Sequence, residues 1–211
     1  MSDSIPVISY RSEVIRKAIH LGALVLPLAI LALPTGPVRI ALTVLAVIAL
    51  GLDVARQRVP AVRQLLVDRT FGWMMRPEEL PAPDAPLVFN GAVWMCLAAA
   101  ACAWLFPPDI GAATLAMLMI GDAAAALVGR RYGRTRWPGT PKSVEGSLAY
   151  ALAALGTGLA VDAWPGADLG LGVCLAGAVS GAILEALPIP VNDNLRVPLL
   201  AGAAMVLVSS V

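Results

Sequence analysis

What most constrains this chain is where its positive charge falls among its apolar segments. A bilayer core of about 30 Å asks for roughly 20 mostly apolar residues per helix. Windows of that size fit near residues 14–34, 37–55, 87–106, 109–130, 143–162, 167–187 and 195–211. Of the 15 Lys and Arg, all but Arg39 lie at or before the start of the first window, between the second and third, from the end of the fourth to the start of the fifth, or after the sixth. The opposite connections, PTGP, PPD and DAWPGAD, carry almost no positive charge. Cations concentrate on the cytoplasmic side of membrane proteins. The pattern therefore predicts an all-α, polytopic integral membrane protein of about seven transmembrane helices, with the N-terminus cytoplasmic and the C-terminus outside.

Composition agrees. The chain is 59% hydrophobic and 14% charged, with mean hydropathy +0.80, against about 45–50% and about 25% in soluble domains. Its 211 residues read as a single membrane domain, 1–211. Usage rich in Ala, Arg, Gly and Pro suggests a GC-rich bacterium and hence its inner membrane. Net charge is +1 and no aromatic-basic interleaving occurs, so no nucleic-acid partner is expected. Cys96, Cys102 and Cys174 sit in apolar runs without zinc spacing and read as small core hydrophobes. The first apolar run contains His20 and Pro27 and lacks a small-x-small cleavage site, so it reads as a retained span. Residues 56–86 are polar; PAVRQLLVDRTFGWMMRPEEL within them predicts an amphipathic helix on the cytoplasmic surface, closed by PAPDAP.

Ionisable residues inside spans cost roughly 2.5–3.5 kcal/mol each on insertion scales and usually line a site or cavity. Here they are His20, Asp53, Asp122, Glu145 and Glu185, with Asp193 and the amide of Asn90 close by. All fall toward the cytoplasmic ends of their segments, which predicts one shared site in one leaflet. Its centre is GDAAAALVGRRYGRTRWPGTPKSVEG, Gly121 to Gly146, which carries an acid in a helix and then a basic, glycine-bearing loop at 130–142. Gly129, Gly133 and Gly139 permit close backbone approach to a phosphate. Ser143 reads as a helix N-cap with Glu145 in the first turn, so the helix start offers free N–H groups to an anion. The spacing is not that of a P-loop. A routine basic loop with a helix cap explains part of this pattern; Asp122 goes beyond it.

A second constellation is EALPIPVNDNLRVPL, Glu185 to Leu199, whose prolines predict a broken helix over 188–194. Such breaks at membrane depth occur where they are buried in protein or line a wet cavity. Asp193 with its flanking amides suits magnesium, which takes one or two carboxylates plus waters and phosphates; an inter-helix turn with an Asn-Asp cap is the plainer alternative. A third is RKAIH, Arg16 to His20, which places His20 one helical turn beyond Arg16 and Lys17. A packed, hydrogen-bonded histidine is its plainer reading.

These segments resemble a family. RKAIH, the Gly121–Gly146 run and ALPIPVNDNLRVPL look like the polytopic CTP-dependent lipid kinases: dolichol kinase, phytol kinase and the CTP-using diacylglycerol kinase. RPEE at Arg76–Glu79 and FNGAVW at Phe89–Trp94 resemble the segment those proteins carry ahead of the glycine-aspartate helix. The resemblance implies transfer of the CTP γ-phosphate to the hydroxyl of a membrane lipid, with Mg2+. The central run is also similar to CDP-diacylglycerol synthases, but their C-terminal lysine- and glycine-rich signature ending in Asp-Arg is absent here, which favours the kinase.

Phosphoryl transfer needs positioning and charge neutralisation more than covalent chemistry. On that basis Lys142, with Arg130 and Arg131, is expected to neutralise the triphosphate, and Ser143 with the helix start to donate hydrogen bonds. Asp122 and Asp193 are expected to hold magnesium, one of them also orienting the lipid hydroxyl. Glu145 and Asn194 stand as second-tier ligands. Arg16, Lys17 and His20 would close the site, with His20 an alternative base. The lipid tail would lie between helices near small residues such as Ala123–Ala126 or Gly177–Gly181. An isoprenoid alcohol is the expected acceptor, with diacylglycerol, cytidylyl transfer or a small transporter as alternatives.

Overall fold

Proline placement sets the element boundaries. The computed structural model describes residues 18–75, 77–82 and 85–210; Arg16, Lys17 and Arg76 lie outside them. Helix α1 (Val25–Ala32) continues a turn that begins at Ala18, the two forming an apolar helix Ala18–Ala32. Buried Pro27 has no N–H for the Ala23 carbonyl, which instead accepts from Leu26 N at 2.9 Å, and the helix loosens there. Helix α2 (Thr35–Arg58) stops at Val59, which precedes Pro60 and is extended.

The segment after α2 is helical but tightly segmented. A turn of α-helix at Pro60–Arg63 widens to a π-helical stretch, Gln64–Phe71, and short 3₁₀ turns follow at Gly72–Met74 and Pro77–Glu79. Where the sequence predicts one helix, the described residues form a succession of short helical segments of three kinds, with Val67 buried in the π-helical stretch.

Helices α3 (Gly91–Leu105), α4 (Pro108–Tyr132), α5 (Val144–Asp162), α6 (Gly170–Ala186) and α7 (Asp193–Ser209) complete the fold. Helix α4 is central, buried along Ile110–Met119 and packed against α1, α3, α5, α6 and α7; α2 packs on α3. The described residues form no strand beyond a single bridge between Arg136 and Ser143. Three helices, α2, α4 and α5, are long and apolar enough to cross a membrane, and Ala18–Ala32, α3 and α6 are shorter apolar helices. The shorter ones run 15 to 17 residues, about 22–26 Å at 1.5 Å per residue. Large apolar side chains such as Leu152, Leu127 and Val47 point outward, a surface compatible with an integral membrane protein.

The two ends of the bundle differ in chemistry. At one end, Arg39 on α2 donates to the Ala103 carbonyl at 2.7 Å and lies over the Trp104 ring. On the same side of the fold, the Asp162 carboxylate accepts from Leu169 and Gly170 N–H at 2.8 and 3.0 Å. These contacts cap helix ends. The other end gathers the C-termini of α2, α4 and α6 with the N-termini of α3, α5 and α7.

Candidate functional site

That charged end is assembled by three N-caps and a hairpin. Asn90 caps α3, its Oδ1 accepting from Ala92 and Val93 N–H at 3.0 and 3.1 Å. Ser143 caps α5, accepting from Gly146 N–H at 3.1 Å, as its sequence context predicts. Asn192 caps α7, accepting from Asn194 N–H at 3.0 Å. With the cap supplied by Asn192, the Asp193 carboxylate is left to face its neighbours.

The basic loop between α4 and α5 is a closed hairpin. Trp137 N–H donates to Lys142 O at 3.0 Å, Val144 N–H to Thr135 O at 2.9 Å, and Thr140 N–H to Trp137 O at 3.3 Å. Pro138 and Gly139 occupy the tip, and Gly139 takes the left-handed φ of +73° that this turn requires. Arg136 Nη1 donates to Pro141 O across it. Gly129 and Gly133 do a different job from the phosphate approach expected of them. A Cβ at either would stand 3.0 or 2.7 Å from Ser143 Oγ, so their bareness lets α4 and the start of α5 close together.

The hairpin delivers Lys142 to the α6–α7 link. Its ammonium lies 2.9 Å from Glu185 Oε1 and 3.0 Å from Asp193 Oδ2, and it also donates to the Glu185 carbonyl. The link itself is two three-residue turns centred on Pro188 and Pro190, closed by Ile189 N to Leu187 O at 2.9 Å and Val191 N to Ile189 O at 2.8 Å; the fixed proline φ suits that geometry. Buried Arg196, one turn into α7, pairs with Asp193 Oδ1 and donates to Leu187 O at 3.2 Å. Its Nε is buried with no hydrogen-bond partner among the described residues. Asp193 is thus held between two cations, with Lys142 29% and Asp193 43% exposed. Burial works against the Lys142 charge, but the hydrogen bond and charge of Glu185, backed by Asp193, outweigh it, so the ammonium titrates above the ordinary lysine range.

The other expected residues distribute around this core. Asp122 lies within electrostatic range of Glu185. Asn194 turns its amide away, donating to Gly91 O at 3.1 Å and tying α7 to α3. Glu145 faces the hairpin, its carboxylate accepting from Arg134 and Thr135 N–H at 3.1 Å. Arg130 and Arg131 are exposed at the end of α4; Arg131 stacks on Tyr132 and borders an open cleft with Arg134 and Glu145. His20 stands at the start of α1, which packs on α4, with its Nε2 enclosed by protein. Gly177 is filled by Met205 and Met117, so that small-residue stretch is helix contact, whereas Ala123, Ala124 and Ala126 on α4 stay partly exposed.

A second polar cluster lies beside the first. Asp53 on α2 is 2% exposed; its Oδ1 receives Arg56 Nε and Asn90 Nδ2, each at 2.6 Å. Arg56 and Gln57 also hold the Val88 carbonyl, and Arg56 holds Glu79 O at 2.8 Å. So the polar residues of this end, expected to share one site, form two clusters joined by the Asn194–Gly91 bond. Sequence reasoning did not single out Arg196, whose i,i+3 spacing from Asp193 was the available signal.

Comparison with known proteins gives one long and one short match. An uncharacterised protein of Rickettsia prowazekii is 27% identical over 186 residues, covering 87% of this chain and 88% of that one. The dolichol kinase of Saccharomyces cerevisiae is 58% identical over 33 residues, 16% of this chain and 6% of the yeast enzyme. No family model and no solved structure matches. The chain therefore carries a segment similar to a small part of a dolichol kinase.

Proposed function

We propose that this chain is a CTP-dependent lipid kinase that transfers the γ-phosphate to the hydroxyl of a membrane isoprenoid alcohol. The observation that carries the reading is Lys142, held by a closed hairpin against Glu185 and Asp193 at the start of a helix. Partly exposed ion pairs contribute only about 0–1 kcal/mol to stability, so this cluster is poorly explained as a structural brace. The short match to a dolichol kinase supports the same reaction class.

In this reading the triphosphate competes with the two acids for Lys142, and buried Arg196 is a second cation beside it. Magnesium would be held by Asp122 and Asp193 and would neutralise charge on the phosphates. No three His, Cys, Asp or Glu side chains converge as a metal cage among the described residues; one or two carboxylates suffice for magnesium arriving with a nucleotide. The lipid hydroxyl oxygen attacks the γ-phosphorus, the bond to the bridging oxygen breaks, CDP leaves, and the hydroxyl proton passes to Asp122 or Asp193, with His20 as the alternative acceptor. Seven helices would cross a bacterial inner membrane with the charged end in the cytoplasm, where CTP is found.

The test is label transfer by purified protein, offering CTP or ATP with phytol, polyprenols, dolichol and diacylglycerol. Label from the γ-position of CTP is expected on an isoprenoid alcohol. Release of pyrophosphate with cytidine retained on the lipid would make the chain a cytidylyltransferase. No transfer from any nucleotide, with no nucleotide-induced thermal stabilisation, would end the enzymatic reading.

A further inference from the structure

Buried Arg196 holds groups from two different helix ends. Its Nη2 pairs with Asp193 Oδ1 at the start of α7, and its Nη1 donates to Leu187 O at 3.2 Å at the end of α6. Its Nε is enclosed by protein and makes no hydrogen bond among the described residues. Buried polar groups are nearly always satisfied, so an idle donor on a buried arginine weakens the fold.

Asp53 and Arg56 serve as an internal control, with the same i,i+3 spacing. There the arginine grips its aspartate with Nε at 2.6 Å, which frees both terminal nitrogens for the Glu79 and Val88 carbonyls. Arg196 grips with a terminal nitrogen instead, so it reaches farther and leaves Nε behind. What the longer reach secures is a half-exposed carboxylate, and a pair with one partner so exposed adds little stability. Capping α6 does not explain it either, because Leu187 O already accepts from Ile189 N at 2.9 Å.

The two oxygens of Asp193 are held unequally. Oδ1 belongs to buried Arg196, and Oδ2 to the more exposed Lys142 at 3.0 Å. An ammonium has three N–H donors, and those of Lys142 meet Glu185 Oε1, Glu185 O and Asp193 Oδ2. A phosphate binds there by displacing an acceptor. Asp193 is the one solvent reaches, its side chain 43% exposed against 9% for Glu185.

We propose that Arg196 is a positioning residue for Asp193. When a phosphate draws Lys142 off Oδ2, Arg196 keeps Oδ1 in place, so the freed oxygen faces the magnesium of the nucleotide and the carboxylate does not swing out into water. The inference rests on the kinase reading and adds how one of its two acids stays aimed.

The test compares melting temperatures of the purified protein with CTP in EDTA and with CTP and Mg2+. Arg196→Met removes the idle donor and leaves Asp193 paired with Lys142, so without ligand it is expected to melt near the parent. Its CTP shift in EDTA, carried by Lys142, should persist, while the further shift on adding Mg2+ is largely lost. In transfer assays kcat should fall about 10- to 100-fold with the KM for the lipid alcohol unchanged. Arg196→Lys keeps a cation near Oδ1 and should recover part of both. Arg196→Gln, uncharged but able to donate to Leu187 O, carries the same expectation as Arg196→Met should that variant not fold. In an Asp193→Asn background the Arg196 substitution should have no further effect, because it acts through that carboxylate.

A full Mg2+ shift with undiminished turnover overturns the inference. So does an equal loss in both backgrounds, which marks plain packing. A parent that shows the Mg2+ shift but transfers no phosphate overturns the kinase reading alone. A parent that CTP does not stabilise overturns both.

Discussion

Two acid–cation clusters lie at the same end of this bundle, and they are built to opposite specifications. Asp53 and Arg56 are 2% and 3% exposed, and their polar atoms are spent on Asn90, Gln57 and the carbonyls of Glu79 and Val88. Lys142 and Asp193 are 29% and 43% exposed, and Arg196 behind them retains an unpartnered Nε. The first cluster closes on itself and binds Glu79, Val88 and Asn90 to α2. The second faces outward with hydrogen-bonding capacity to spare. Satisfaction, more than the presence of buried charge, distinguishes a lock from a site.

Removing one partner of the closed cluster should have the largest effect. Asp53→Ala leaves Arg56 buried without a counter-charge, a loss of about 3–5 kcal/mol, read as a large drop in melting temperature in detergent. Replacing both partners by apolar groups, Asp53→Leu with Arg56→Met, should recover part of it. An unshifted melting temperature for the single variant would show the cluster is not a lock.

The open cluster should behave in the reverse way. Lys142→Gln and Asp193→Asn are expected to lower phosphate transfer about 10²–10³-fold, as for loss of a charge-stabilising group, with melting temperature little changed. If both variants transfer at parental rate, the two clusters do not differ in function. Ser143→Ala should cost about 1 kcal/mol through loss of the α5 cap, measurable as a modest melting shift. Smallest of all, Glu145→Gln should reduce transfer only a few-fold, because its carboxylate serves the hairpin backbone. Complete loss there would move Glu145 into the site.

The difference between the clusters marks what could be read from sequence. Hydropathy and charge give a residue's level along the bundle axis, so the gathering of Asp53, Lys142, Glu185 and Asp193 at one end was legible. So was the Ser143 cap, whose signal is local. The direction a side chain faces around the axis was not. Asp53 and Asp193 each carry an arginine at i+3, Arg56 and Arg196, yet one pair is sealed and the other open. The outcome depends on which loop folds over the pair, and no local pattern encodes that. Gly129 and Gly133 make the same point: read as room for phosphate, they are room for Ser143.

The cross-bonded hairpin makes Lys142 part of a stiff strut continuous with α5, since the chain is pinned on both sides of the turn by Trp137–Lys142 and Thr135–Val144. Its tip at Gly139 has open space around it. A fluorophore or short peptide inserted there would ride on the apex without pulling on the ammonium, and would give a reporter for watching this face of the protein.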